Sequence, residues 1–186
     1  MNHPKTETLD ELLLRFGLTD LDWDLIIVGD GSGSSWKREA GWASISIEKA
    51  TMERRTWYGA MNCGTVNFAE MMAYIQPLNW YTSKEIDRRS KTKQQVQFPK
   101  VHIFTDSKYC ADVASNNSNF GNIRKNYALW NVFLSFSRAG ILLHWHWIPR
   151  GSVDLNSLAD QMSKEARIAI SEADIAQKSD PYTLNP

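Results

Sequence analysis

Two short apolar runs constrain this chain most. LIIV at 25–28 and VHIF at 101–104 each meet a carboxylate two residues later, in LIIVGD and VHIFTD. A run this short and this apolar reads as a buried strand. An acid delivered by a buried strand has two readings. Asp closes turns and caps helices, and Asp30 runs straight into the glycine- and serine-rich stretch Gly31-Ser32-Gly33. Alternatively, the strand holds the carboxylate out to meet a cation.

The stretches around these runs set the architecture. WASISIE (42–48) and RRTWYGAM (54–61) alternate polar and apolar residues, as half-buried antiparallel strands do. NFAEMMAYIQPLNWYTSKEI spaces its large apolar residues as a helix does. Pro77 inside it predicts a kink or break, since an interior proline costs an unsupported helix ~3 kcal/mol. After VHIF, a helix is expected from Ser107. YALWNVFLSFSRAG reads as a helix stopped by Gly140, ILLHWHWIP as a fifth strand and NSLADQMSKEARIAI as a last helix. Three meander strands followed by helix, strand, helix, strand, helix predict an α/β fold. Its mixed five-stranded sheet has the order 3-2-1-4-5, with strand 2 antiparallel and helices on both faces. Residues 1–24 form an extension in which TETLDELLLRFGL makes a short helix, capped by Thr6 or Thr8 and stopped by Gly17. The acidic DLDWD that follows has no glycine turn or later Glu at calcium-loop spacing, and reads as a solvated lead-in. The domain proper is placed at 25–171, and the polar stretch 172–186 is a frayed tail.

Composition narrows the classes. Net charge is zero and the pI about 6.9, unlike a dedicated tight binder of nucleic acid. Cys63 and Cys110, with no CxxC spacing, give no zinc or disulfide framework. A reducing cytoplasm is the expected compartment. The first residues lack the basic and apolar regions of a secretory signal, and no apolar run approaches a membrane span.

Four acids then fall into one pattern. Asp30 and Asp106 end strands expected to be parallel neighbours. Glu70, in NFAEMM, and Asp160, in NSLAD, lie in the first turns of helices. Sites in open α/β sheets form at the carboxyl ends of the strands. Each acid alone has an ordinary explanation as a turn residue, a cap or a partner of a helix dipole. Four acids at the same end of their elements do not. Clustered carboxylates repel unless a cation lies among them, and an all-oxygen set suits Mg²⁺ or Mn²⁺. A pair of such ions, roughly 3.5–4 Å apart, serves in-line displacement at phosphorus.

DGSG, GWA, NFAEMMA, FTDSKYC and IPRG…NSLAD, in this order, resemble type 1 ribonuclease H over most of Leu25 to Ala169. The resemblance implies an endonuclease that cuts the RNA strand of an RNA–DNA hybrid with two divalent cations, leaving 5′-phosphate and 3′-hydroxyl ends. Asp30, Glu70, Asp106 and Asp160 match its metal-binding carboxylates. Asn67 matches an asparagine that contacts the hybrid near the 2′-hydroxyls. Thr65 matches a threonine that helps hold a DNA-strand phosphate, and Gly31, Ser32 and Gly33 match a loop whose backbone meets the RNA strand. Ser107, beside Asp106, and Asn156, one helical turn before Asp160, join the implied substrate contacts. Many members carry a mobile histidine where this chain has Arg150, in an I-P-R segment. The resemblance then leaves Arg150 for the scissile phosphate or a leaving group, against the plainer reading of a surface arginine.

The basic protrusion of some members has no counterpart here. Residues 84–100 carry six basic residues against Glu85 and Asp87, and read as a polar connection. Arg88, Arg89, Lys91 and Lys93 are candidates for a substitute positive surface. His144 and His146, alternating with Trp145 and Trp147, read as packing and edge residues. Two other readings stay open: an inert nucleic-acid-binding module of the same fold, and a related transposase, resolvase or exonuclease. A monomer is expected.

Overall fold

The computed structural model describes residues 6–19, 22–34, 39–92, 97–115 and 126–179, with side chains of the last helix described to 172. Its elements are α1 (Leu9–Arg15), β1 (Leu25–Gly33), β2 (Ala40–Glu48), β3 (Glu53–Met61), α2 (Val66–Lys91), β4 (Lys100–Thr105), α3 (Lys108–Ser115), α4 (Tyr127–Arg138), β5 (Leu142–Trp147) and α5 (Asp154–Ser179). The five strands form one sheet in the order β3-β2-β1-β4-β5. β2 is antiparallel to β1 and β3, and β4 is parallel to β1 and β5, as expected.

Side chains alternate across a strand, so β1 feeds two cores. Leu25 and Ile27 join α2, α3 and α4 through Tyr74, Leu78, Cys110, Trp130 and Phe133. Ile26 and Val28 face α1 and α5 through Leu12, Val153, Leu155 and Ala159. No helix of the described residues is long and apolar enough to cross a membrane.

Four expectations are corrected. First, β1 does not end at Val28. It runs through Gly33 and pairs Gly31, Ser32 and Gly33 with Trp42, Gly41 and Ala40, so the glycine-rich stretch is strand rather than turn. Second, α2 runs unbroken for 26 residues through Pro77. Met71, Tyr74, Ile75, Leu78 and Tyr81 are buried along it, and that packing outweighs the lost hydrogen bond. Third, residues 84–91 are the last turns of this helix, not a connection. Fourth, α5 starts at Asp154 and continues to Ser179, past the expected boundary at 171.

The N-terminal helix forms as expected, with Thr8 as its cap. Thr8 accepts from Glu11 N, and Thr8 N donates to Glu11 Oε2 at 2.9 Å. Gly17, at φ +64°, ends it. Asp22 of the acidic lead-in accepts from Thr19 N, and Asp24 from Lys100 N. His102 joins His144 and His146 on one face of the sheet. Its Nδ1 lies 2.8 Å from His146 Nε2, and both neighbours stack on it. His144 and His146 thus pack on His102.

Candidate active site

The backbone places the first two acids. The parallel ladder between β1 and β4 ends at the pair Gly29 and Thr105. Asp30 and Asp106 are the next residues on each chain, so they stand side by side where the ladder stops. α2 brings the third acid. Gly29 and Gly31 share the β1 face beneath this helix. A Cβ on residue 29 would stand 2.8 Å from Tyr74 Cε1. Tyr74 Oη also donates to Gly29 O at 2.9 Å. Two missing side chains thus let α2 settle onto the strand, which carries Glu70 to Asp30.

One carboxylate oxygen each of Asp30, Glu70 and Asp106 lies within 4.8 Å of the others. The Asp30 and Glu70 side chains are buried, and so is the Asp106 carboxylate. Burial first, then the charges of Asp106 and Asp160, push the Asp30 carboxyl up to about 8, and Arg150 offsets part of that rise. Burial, with Asp30 and Asp106 nearby, holds Glu70 well above the usual carboxylate range. Asp160, in the second turn of α5, flanks Asp30 and is 29% exposed. Its Oδ2 accepts from Lys164 Nζ at 2.5 Å. Three acids therefore cluster tightly, and the fourth stands at their rim.

This donor set suits a cation. Both oxygens of Asp30, Oε2 of Glu70 and Oδ1 of Asp106 are buried without a hydrogen-bond partner among the described residues. Buried acceptors left unsatisfied are costly, and an oxygen-ligated divalent ion would satisfy all of them. Asp30, Glu70 and Asp106 would hold it, with Asp160 at the edge.

Arg150 belongs to the site more closely than its sequence position suggested. Its Nε donates to Asp106 Oδ2 at 2.9 Å, and a terminal nitrogen lies 3.8 Å from Asp30 Oδ1, while the side chain stays 70% exposed. The loop bearing it turns at Gly151, φ +66°, whose N–H donates to Asn156 Oδ1 at 3.3 Å. Asn156 is buried and so holds this loop.

The other expected contacts divide. Thr65 caps α2, accepting from Phe68 N at 3.1 Å. Together with Asn67, Ser34, Cys63 and Asn126 it lines a groove of about 600 Å³ at the start of that helix. Ser107 Oγ accepts from Cys110 N in the first turn of α3. Ser32 is turned inward. Its hydroxyl donates to Ser163 O and accepts from Arg167 Nε, tying β1 to α5. Gly31 is covered by α2, and a Cβ at Gly33 would meet Val66.

The basic residues lie elsewhere. Arg88 pairs with Glu85 at 2.7 Å and Lys91 with Asp87 at 2.6 Å. Arg89 donates to the carbonyls of Ala139 and Gly140 behind α4. Eighteen helical residues separate Glu70 from Arg88, roughly 27 Å along the axis. Lys93 lies outside the described residues.

Three site residues were not anticipated. Lys164 is legible as a helical neighbour of Asp160 four residues on. Trp147 and Lys108 are not. Trp147 Nε1 donates to Asp106 O at 3.3 Å, with the Lys108 ammonium 5.5 Å from its ring and the ring 43% exposed. The alternation HWHW does not show which Trp borders an acid.

Acids gathered at the carboxyl edge of a mixed sheet, with helices on both faces, form an all-oxygen site that suits a hard cation. The family model described as RNase H matches residues 22–168, and the chain belongs to that family. Solved structures of the same fold include the N-terminal RNase H domain of a Mycobacterium tuberculosis protein, fused to maltose-binding protein. It is 16% identical with a TM-score of 0.59, and the match covers 80% of this chain and 96% of that one. LC11-RNase H1, isolated from compost by a metagenomic approach, is 16% identical with a TM-score of 0.60, over 80% of this chain and 98% of its own. A foamy viral protease-reverse transcriptase is 15% identical with a TM-score of 0.61, over 90% of this chain and 22% of its own. No curated protein matches the sequence.

Proposed function

We propose that the chain is a divalent-cation-dependent endonuclease. It hydrolyses the RNA strand of RNA–DNA hybrids and leaves 5′-phosphate and 3′-hydroxyl ends. Two Mg²⁺ ions are the proposed cofactor, with Mn²⁺ as substitute, and the proposed form is a cytoplasmic monomer. One observation carries this reading: buried, unpartnered oxygens of Asp30, Glu70 and Asp106 converge within 4.8 Å in a chain of the RNase H family. The choice of substrate is supported by LC11-RNase H1 and the foamy viral protein, whose structures hold an RNA/DNA hybrid.

Bound ions would supply a nucleophile at neutral pH and neutralise charge at the phosphate. The chain's own groups do the rest. Water oxygen bonds to phosphorus as the bond to the 3′ oxygen breaks; the attacking water gives up a proton to solvent, and the departing 3′ oxygen takes one from solvent. Arg150, exposed on the rim of the acids, reaches a phosphate oxygen by turning its guanidinium away from Asp106. Thr65 and Asn67 offer a hydroxyl and an amide to the backbone in the groove. Asn67 donates to or accepts from a 2′-hydroxyl, the group that separates RNA from DNA.

The test is cleavage of a labelled RNA–DNA hybrid with Mg²⁺ or Mn²⁺, beside single-stranded RNA, duplex RNA and duplex DNA. Asp106→Asn is the control. Cutting confined to the RNA strand of the hybrid, and lost in the variant, is the expected result. Hybrid binding without cutting would identify an inert module. Cutting of DNA would point to the transposase, resolvase or exonuclease relatives.

A further inference from the structure

The segment before the RNase H match is wired to the catalytic loop. Glu7 forms an isolated parallel bridge with Val153. Its N–H donates to Ser152 O at 2.8 Å, and its carbonyl accepts from Asp154 N at 3.0 Å. The Thr6 hydroxyl binds the Asp154 carboxylate. Arg15 Nη2 holds Glu7 Oε2 at 3.0 Å from the last turn of α1. Leu12, fully buried, packs in one cluster with Ile148, Val153, Leu155 and Ala159.

These contacts fall around Arg150. Ile148 and Val153 are buried on either side of it, and Pro149, Arg150 and Gly151 form the tip between them. Asp154 is the first residue of α5, which carries Asn156 and Asp160. The family match begins at residue 22, so the bridge is made by a segment outside it.

We propose that residues 6–18 are a positioning device for the active site. By bridging to Val153 and burying Leu12 beneath it, they hold the loop that lays Arg150 across Asp106 and Asp30. The inference rests on the hybrid-cleaving reading for the role of Arg150. A pair of backbone hydrogen bonds, with Leu12 packed beneath, suits this task. Geometry at a reacting centre tolerates little error, and a displacement near 1 Å can cost about 100-fold in rate.

The experiment compares Glu7→Pro with Glu7→Ala in the full chain, after the wild type has been shown to cut a hybrid. Absence of cutting by the wild type would overturn the functional reading itself. Glu7→Pro deletes the N–H that binds Ser152 O. Glu7→Ala deletes only the ion pair with Arg15. Cleavage kinetics are measured alone and with Arg150→Ala, and the Arg150 Nε–H resonance is followed by NMR in isotope-labelled, cation-free protein. Glu7→Pro is expected to lower kcat about tenfold with KM within about twofold. It should also shift the Arg150 resonance, while Glu7→Ala does neither. In the Arg150→Ala background the Glu7→Pro loss should shrink below about threefold, because the two act through one group. Equal behaviour of Glu7→Pro and Glu7→Ala, or a full tenfold loss without Arg150, would overturn the proposal. Should Glu7→Pro fail to fold, Thr6→Val, which removes the hydroxyl contact of the same segment to the Asp154 carboxylate, is set against Glu7→Ala with the same readouts and the same two outcomes.

Discussion

Gly31 lies against the backbone of Glu70. A Cβ at residue 31 would stand 2.2 Å from Glu70 N and 2.6 Å from the carbonyl carbon of Ala69. The obstacle is main chain inside a helix, not the end of a flexible side chain. Gly31→Ala must therefore lift α2 from β1 and move Glu70 away from Asp30. The expected cost is about 3 kcal/mol in stability and about 100-fold in hybrid cleavage. Thermal unfolding and single-turnover cleavage check both.

The acid cluster works against the cation-free fold. Asp30 titrates near 8 in the folded chain and near 3.8 when unfolded. Over that window the unfolded state releases the proton first, so this group lowers stability as pH rises from about 4 to about 8. Asp30→Asn should raise the cation-free Tm at pH 8 by several degrees and abolish cleavage. His102 and His146 act oppositely. Burial lowers both to about 4, so stability falls as pH drops from about 6.5 to 4. Scans of Tm against pH for wild type and Asp30→Asn separate the two: the variant should lose the Asp30 share of the fall toward high pH, keep the share of buried Glu70, and retain the acid-side fall unchanged.

Arg150 and a cation answer to the negative charge of the same two acids, Asp30 and Asp106. With Arg150 Nε on Asp106 Oδ2 at 2.9 Å, Arg150→Ala removes a positive charge from the cluster. Mn²⁺ should bind the variant at least about threefold more tightly, while hybrid cleavage falls about tenfold or more. Calorimetric titration with Mn²⁺, set beside kcat, reads both. Weaker Mn²⁺ binding would contradict the arrangement.

The charges at the far end of α2 face other work. Arg88 and Lys91 are paired within their own helix, and Arg89 grips the carbonyls that end α4. Neutralising Arg88 and Lys91 should change the salt slope of hybrid binding by less than about one. Arg89→Ala should instead cost about 1–3 kcal/mol of stability, through the carbonyls it leaves unpaired. Binding isotherms across salt concentration and denaturant titrations test the two halves. A clearly flattened slope would return this segment to the substrate surface.

The strand order and the meeting of Asp30 with Asp106 were legible because apolar runs, alternation and helix patterns are local signals that topology rules combine. The reach of β1 was not. Gly29-Asp30-Gly31-Ser32-Gly33 carries the composition of a turn, and only its pairing with β2, a partner distant from any local signal, makes it strand. Pro77 misled for a similar reason, since propensity is local and the burial of Tyr74, Leu78 and Tyr81 is not. Arg150 was legible as a candidate, but its hold on Asp106 depends on a loop pinned by Asn156 and Glu7. No spacing in the sequence connects residue 7 with residue 153.

The point where the parallel ladder stops has a consequence for how freely this protein can change. Two of its acids are neighbours because of hydrogen bonds between main-chain atoms, which nearly any side chain permits. Drift in the apolar residues of β1 and β4 leaves Asp30 beside Asp106 so long as each stays in step with the other. A single-residue insertion or deletion between Leu25 and Asp30, or between Val101 and Asp106, would turn one acid to the opposite face. As far as the meeting of these two acids goes, exchanges among the apolar residues of the two strands should therefore be forgiven, a side chain at Gly29 or Gly31 beneath α2 should not, and length changes hardly at all.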